Sequence, residues 1–139
     1  MSKKLKKNLI CVLCHLGVFV CLYLVTAGMN ALATSISPTE YLYLFRWTTQ
    51  NTYWGLWLLS PVLVLLGQNV WAWFVTGGNV LAVLCGQFLG DWIEGMMSPD
   101  PYGTRLHAGF LIWAGLALVS VVLGGFVQFY HSESQNESK

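Results

Sequence analysis

The distribution of charged residues constrains this chain more than any other feature of its sequence. Charged side chains are absent from three long segments, 8–39, 47–90 and 106–132. Charged residues make up only 9% of the chain, whereas an ordinary soluble domain contains about 25%. Each segment is long enough for a helix of about 20 apolar residues, which crosses a hydrocarbon core of about 30 Å. The sequence therefore predicts an integral membrane protein and excludes an ordinary soluble domain.

The middle uncharged segment is too long for a single crossing. As one straight helix, its 44 residues would extend about 66 Å, about twice the hydrocarbon core. The turn-forming residues Gly67-Gln68-Asn69 separate two apolar runs within it. We therefore predict an all-α integral membrane protein, a four-transmembrane-helix bundle that forms one membrane domain over 1–139. The predicted helices cover about 8–32, 48–66, 70–92 and 108–130, with a kink at Pro61 and a disordered tail over 131–139.

The N-terminal lysines predict the orientation of the chain. Four of the first seven residues are lysines, Lys3, Lys4, Lys6 and Lys7, and loops rich in lysine or arginine stay in the cytoplasm. An even number of crossings then places both termini in the cytoplasm. The predicted outer loops, about 35–47 and 93–107, each carry one arginine, Arg46 and Arg105. These features favour a multi-pass protein of the cell membrane, and the compact size is typical of a bacterial one.

A cleaved signal peptide is the alternative for the first predicted helix. The residues Ala31-Leu32-Ala33 resemble a small-x-small cleavage site after a basic start and an apolar run. The apolar region, about Leu9 to Met29, exceeds the 7 to about 15 residues of a signal peptide. We favour an uncut membrane anchor, while cleavage after Ala33 would leave three crossings.

The residues CVLCH, from Cys11 to His15, have the C-x-x-C-H form that attaches a c-type haem. The orientation places them in the cytoplasmic half of the first helix, whereas haem attachment is expected on the exterior. We interpret Cys11, Cys14 and Cys21 as small apolar helix residues. Palmitoylation of Cys11 and a non-covalent haem held by His15 and His131 are the alternatives, and no cofactor is predicted.

The predicted third helix carries small residues at every fourth position, Gly78, Ala82, Gly86 and Gly90. Four-residue steps drift by only about 40° around a helix, so these positions form one smooth strip. Small residues in this register allow another helix to approach closely, which drives helix association in lipid. The strip predicts a helix-packing face inside the bundle or at a subunit interface.

Polar residues near the same helix predict a polar cavity open to the exterior, lined by Asn79, Gln87, Asp91, Glu94 and His107. An amide at mid-membrane needs a hydrogen-bond partner or water, so Asn79 is the residue of this group that most requires a partner. The competing interpretation is that helix ends at a membrane boundary are polar in any case. One histidine with two separated carboxylates is too few ligands to predict a metal site.

Two functions from different classes fit these features. We expect a non-enzymatic accessory or regulatory subunit that assembles through the predicted third helix with another membrane protein or with itself. The alternative is a small-solute transporter or a substrate-binding membrane component that uses the polar cavity. An enzyme of lipid or quinone chemistry is the least favoured class, because no recognised nucleophile or catalytic motif accompanies the acidic residues. The expected partners are the lipid bilayer and either another membrane protein or a second copy of this chain. Nucleic acid is excluded as a partner because the chain has few basic residues.

Overall fold

The computed structural model describes residues 3–37, 42–50, 53, 58–98 and 106–137 of this chain. Within these ranges the regular secondary structure is helical, and no strand is present. The helices, in chain order, are α1 (Lys3–Ile36), α2 (Tyr43–Thr48), α3 (Leu59–Leu65), α4 (Asn69–Met96) and α5 (Ala108–Glu137). The prediction of an all-α chain is confirmed for these residues.

Three of these helices are long and apolar enough to cross a membrane. The candidate spans are Leu5–Ile36 in α1, Asn69–Met96 in α4 and Ala108–Ser134 in α5. Helices suit such a sequence because a helix satisfies its backbone hydrogen bonds within the segment, as lipid requires. The three long helices also extend beyond the predicted bounds of about 8–32, 70–92 and 108–130.

The second predicted crossing, at about 48–66, is not one long helix in the described residues. Helix α2 ends at Thr48, where the crossing was predicted to begin, and α3 has only seven residues. Pro61 lies in the first turn of α3, where proline is tolerated because the N–H that it lacks has no intrahelical acceptor. The predicted kink stays a prediction, because residues 54–57 lie outside the described residues. Four membrane spans are therefore not shown, and residues 51, 52 and 54–57 lie outside the described part of this crossing.

The chain returns to the end of the bundle at which it starts. Lys7 near the start of α1, Asn69 at the start of α4 and His131 near the end of α5 line one cavity. We call this end the lysine end, and the opposite end, where α4 finishes and α5 starts, the Glu94 end. Between α3 and α4, Gly67 has a φ of 82°, a left-handed conformation that glycine adopts without steric cost. Gly67 thus allows the chain to reverse at the lysine end.

Helices α4 and α5 are antiparallel and pack closely along their length. A Cβ atom built on Gly90 would lie 2.6 Å from the Cα atom of Gly109. One built on Gly78 would overlap the side chain of Ser120, and one built on Gly124 would meet Phe74. Because lipid removes the hydrophobic force between helices, such close packing takes over the role of holding them together.

Two buried apolar clusters attach the remaining helices to this pair. The first consists of Phe19, Leu22, Phe45, Tyr53 and Val83. The second consists of Leu63, Val64, Ala72 and Val75. The first joins α1 and α2 to α4, and the second joins α3 to α4.

The C-terminal segment differs from the predicted disordered tail over 131–139. Helix α5 continues to Glu137, so residues 131–137 are helical, and residues 138 and 139 lie outside the described residues. The polar sequence HSESQNE contains no glycine or proline, the residues that most often end a helix.

Candidate functional site

At the Glu94 end, Tyr43, Glu94 and His107 form a group that we call the Glu94 cluster. The Oε1 atom of Glu94 accepts a hydrogen bond from the backbone N–H of Ala108 at 2.6 Å, at the first residue of α5. Its Oε2 atom lies 3.1 Å from Nδ1 of His107, and the His107 ring stacks on Tyr43 with centroids 4.0 Å apart. Glu94 thus caps the N-terminus of α5, where the helix dipole favours a negative charge.

Tyr43 joins α2 to α5 within the Glu94 cluster. Its hydroxyl oxygen accepts a hydrogen bond from the backbone N–H of Gly109 at 3.1 Å. Burial, reinforced by the negative charge of Glu94, raises the pKa of Tyr43 to about 12. Tyr43 is therefore neutral near neutral pH, and its hydroxyl acts there as a hydrogen-bonding group that fixes α2.

Gln87 joins α4 to α2 and is fully buried. Its Oε1 atom accepts hydrogen bonds from the backbone N–H groups of Leu44 at 2.9 Å and Phe45 at 3.0 Å. Its Nε2 atom donates to Oδ2 of Asp91 at 2.8 Å. The residue before α2, Leu42, provides no side-chain cap, so Gln87 supplies the cap of this helix from a neighbouring helix.

Asn79 lies deeper in the bundle and has a partner at both ends of its amide. Its Nδ2 atom donates to the hydroxyl of Tyr53, and its Oδ1 atom accepts from Nε1 of Trp113 at 3.3 Å. Beside it is a small cavity of about 80 Å³ whose other walls include Leu59, Val75 and Val121. Asn79 thus meets the requirement for hydrogen bonds at mid-membrane by linking α4 to α5 and to Tyr53.

The five residues predicted to line a polar cavity are divided among separate contacts. Gln87 pairs with Asp91, Glu94 pairs with His107, and Asn79 lies two helical turns below Gln87 with partners of its own. Gln87 and Glu94 already hold backbone N–H groups of other helices. These contacts fasten α2 and α5 to α4.

The predicted packing strip consists of Gly78, Ala82, Gly86 and Gly90 and lies in α4. A Cβ atom on Gly86 would lie 2.8 Å from the carbonyl oxygen of Gly109 in α5, and Ala82 is fully buried. The atoms that approach the three glycines belong to α2 and α5 of the same chain. Another membrane protein would therefore have to meet a different surface of this chain.

His15, the last residue of CVLCH, is fully buried and links α1 to α4. Its Nδ1 atom lies 2.7 Å from Oγ1 of Thr76, and the Thr76 hydroxyl donates to Oγ of Ser60 at 2.8 Å. His15, Thr76 and Ser60 thus form one continuous line of hydrogen-bonding side chains, and the tautomer of His15 sets which of its ring nitrogens donates. Among the described residues Nε2 has no hydrogen-bond partner, and the ring lies 4.3 Å from that of Trp73.

The cysteines of CVLCH do not face the same way as its histidine. Cys14 is exposed on α1 while His15 points into the bundle, and the thiols of Cys11, Cys14 and Cys21 are free. In this arrangement the histidine is bonded to Thr76 and the exposed thiol of Cys14 lies on the surface.

An apolar groove of about 580 Å³ runs between α1 and α4 on the outer surface of the bundle. Its α1 wall includes Cys14, Gly17 and Cys21, and its α4 wall includes Trp73 and Leu84. The Cβ position of Gly17 has no described heavy atom within 4 Å, apart from the backbone around it. We call this feature the α1–α4 groove, and its small residues give an approaching helix room for close contact.

Sequence reasoning missed Tyr43, Ser60 and Thr76. Tyr43 falls in the region predicted to be an outer loop, although the run YLFRWT lacks glycine and proline and is compatible with a short helix. Ser60 and Thr76 gave no signal, because a hydroxyl in an apolar helix most often bonds to its own backbone. Their contact depends on how α3 packs against α4, which no local pattern encodes.

In the part of the chain that the structure covers, no group of three His, Cys, Asp or Glu side chains is placed to hold a metal ion. No protein family, curated protein or solved structure matches the chain. Function is therefore inferred from the geometry of this chain alone.

Proposed function

We propose that this chain is a small multi-pass membrane protein that acts as a non-enzymatic accessory or regulatory subunit. It holds a transmembrane helix of another membrane protein, or of a second copy, in the α1–α4 groove. The observation that carries this proposal is the outward position of Gly17 and Gly28 on α1, where no described heavy atom from elsewhere lies within 4 Å of either Cβ position. Eleven residues are about three helical turns, so both glycines lie on the same face.

Glycine on an outward helix face has a cost in helix stability that packing among the described residues of this chain does not offset. A glycine inside a helix is less favourable than alanine by about 1 kcal/mol. Lipid chains adapt to larger side chains, whereas a second helix gains close contact from small ones. The exposed Cys14 and Cys21 continue the small surface on the same side as Gly17. A partner helix in the α1–α4 groove thus accounts for the small residues on this face of α1.

The hydrogen bonds inside the bundle also favour a binding protein over a carrier. Gln87 caps α2, Glu94 caps α5, and Oε1 of Gln128 accepts from the backbone N–H groups of Val70 and Trp71 at the start of α4. A small-solute carrier that used Gln87 or Glu94 would have to release these backbone donors. Leaving a buried donor without a partner costs about 1–3 kcal/mol.

The proposed location is the cell membrane, with both termini in the cytoplasm. The lysines at the start of α1 favour this orientation, and Lys7 and His131 share a cavity at one end of the bundle. Arg105, in a predicted outer loop, lies outside the described residues. Reporter fusions at the two termini test this location: both are expected to report the cytoplasm, and reporters on opposite sides would contradict it.

A photo-crosslinking amino acid at position 21 tests the proposed contact in the native membrane. Cys21 lines the α1–α4 groove, while Leu118 on α5 is exposed outside it and provides the matched control. Position 21 is expected to give one discrete protein adduct, whose mass shows whether the partner is a second copy. Position 118 is expected to give lipid adducts. Lipid adducts alone at both positions would contradict the proposal.

A further inference from the structure

The lysine end contains a polar cavity that the proposed function does not use. Its volume is about 480 Å³, within the range of about 300–1,000 Å³ typical of small-molecule sites. It lies between α1, α4 and α5, and its polar lining residues are Lys7, Gln68, Asn69, Gln128, His131 and Ser132. It is separate from the α1–α4 groove, none of whose lining residues it shares.

The donors in this cavity suit an anion. Lys7 brings an ammonium group, and Ser132 brings a hydroxyl. Oε1 of Gln128 is occupied by the backbone N–H groups of Val70 and Trp71, which leaves the Nε2 atom as its donor. A phosphate group, with several acceptor oxygens and a negative charge, matches a lysine with neighbouring neutral donors.

One residue that lines the cavity, Asn69, has an acceptor atom that requires a hydrogen-bond donor as its partner. Oδ1 of Asn69 is buried and accepts no hydrogen bond from any described residue. A buried acceptor of this kind is costly unless a donor reaches it. A rotation of the Asn69 side chain toward the cavity would let a ligand that carries a hydrogen-bond donor beside its negative charge satisfy this acceptor.

The surroundings of the cavity favour a lipid as the source of the anion. Leu66 and Tyr130 are adjacent in sequence to lining residues, and both side chains are largely exposed. They provide an apolar surface beside the polar cavity, as a lipid with a headgroup and acyl chains requires. The first turns of α1 contain four lysines, at positions 3, 4, 6 and 7. Lysine clusters directly next to a membrane helix attract anionic lipids.

We infer that this cavity binds the headgroup of an anionic phospholipid, with the phosphate on Lys7 and a headgroup hydroxyl on Oδ1 of Asn69. Phosphatidylglycerol has this chemistry, because it combines a phosphodiester with glycerol hydroxyls. The inference is independent of the partner helix in the α1–α4 groove. It assigns a lipid class to the lysine end of the bundle.

Lipid titration of the full chain in mild detergent tests this inference, with bound lipid counted by native mass spectrometry. Lys7→Gln is expected to weaken phosphatidylglycerol binding about fivefold, the effect of one lysine near an anionic headgroup. Lys3→Gln is the matched control, because Lys3 lies one turn away on the same face of α1 and outside the cavity. It is expected to change the affinity less than Lys7→Gln does, because Lys3 does not line the cavity. Phosphatidylcholine is expected to bind more weakly than phosphatidylglycerol.

Three results would overturn the inference. Equal losses for Lys7→Gln and Lys3→Gln would show a general attraction to the lysine cluster and no specific cavity site. Equal binding of phosphatidylcholine would show that the negative charge is not recognised. Displacement of the lipid by millimolar inorganic phosphate would show a site for free phosphate and not for a lipid headgroup.

Discussion

The Nδ1 atom of His15 and the Oγ1 atom of Thr76 lie 2.7 Å apart inside the bundle. The Thr76 hydroxyl is also hydrogen-bonded to the Ser60 hydroxyl, so one line of hydrogen bonds connects α1, α4 and α3. All three side chains are buried. In a water-poor interior each of them depends on its neighbours for hydrogen bonds, so the three are expected to respond to mutation as a unit.

Replacing Thr76 with valine is expected to lower the free energy of unfolding by about 1–3 kcal/mol, because it leaves the buried Nδ1 atom of His15 without its hydrogen-bond partner. His15→Phe should cost less in the Thr76→Val background than in the wild type, with a coupling energy of about 1 kcal/mol. Unfolding of the four variants in detergent measures this coupling. Thr34→Val is the control, because Thr34 bonds only to its own helix. Additive effects of His15→Phe and Thr76→Val would contradict the geometry.

The neighbouring glycines Gly77 and Gly78 form a matched pair in α4. A Cβ atom on Gly78 would overlap the side chain of Ser120, whereas one on Gly77 would meet no described heavy atom outside its own helix backbone within 4 Å. Gly78→Ala should therefore destabilise the protein by about 1–3 kcal/mol through overpacking. Gly77→Ala should be neutral or stabilise it by up to about 1 kcal/mol. Thermal unfolding in detergent compares them, and equal melting temperatures would argue against the close α4–α5 contact.

Gln87→Met keeps the length of the side chain but removes the oxygen that accepts from Leu44 and Phe45. Two backbone N–H groups then lose their acceptor, so we expect a loss of about 2–4 kcal/mol in the free energy of unfolding. Hydrogen exchange measured by mass spectrometry should also become faster at the start of α2. Gln50→Met, at an exposed position, should change neither quantity. Unchanged exchange in α2 after Gln87→Met would show that Gln87 is not its cap.

The pKa of Tyr43 makes a prediction for alkaline pH. Because this pKa is raised from 10.0 to about 12 in the folded chain, ionisation of the phenol favours the unfolded state. The stabilising effect is fully present below about pH 10 and is lost as the pH rises through about 12. Tyr43→Phe should remove this part of the alkaline destabilisation. Melting temperatures of the wild type and variant across this range measure it, and parallel curves would contradict the raised pKa.

The long helices could be predicted from the sequence because their cause is local. Uncharged apolar runs determine which segments can cross lipid, and those segments are α1, α4 and α5. The second predicted crossing could not be resolved in the same way. Hydropathy is equally high over residues that form the short α3, whose start depends on Pro61 and on packing against α4.

The polar residues of the candidate site could be identified from the sequence, but their partners could not. Asn79, Gln87 and Glu94 were recognisable as polar groups in or near an apolar helix. Their hydrogen bonds to Tyr53, to Leu44 and to Ala108 depend on tertiary packing over separations of more than a dozen residues. A cavity was predicted from composition, whereas the observed bonds connect helices.

The most direct test of the proposed subunit is affinity purification of the intact protein from its own membrane in mild detergent, followed by mass spectrometry. We predict a stoichiometric membrane partner that is lost with Gly17→Leu, which fills the α1–α4 groove. The partner should be retained with Gly115→Leu, because Gly115 is equally open but lies on α5 outside the groove. Purification of a monomer alone, or a partner that Gly17→Leu leaves bound, would contradict the proposal.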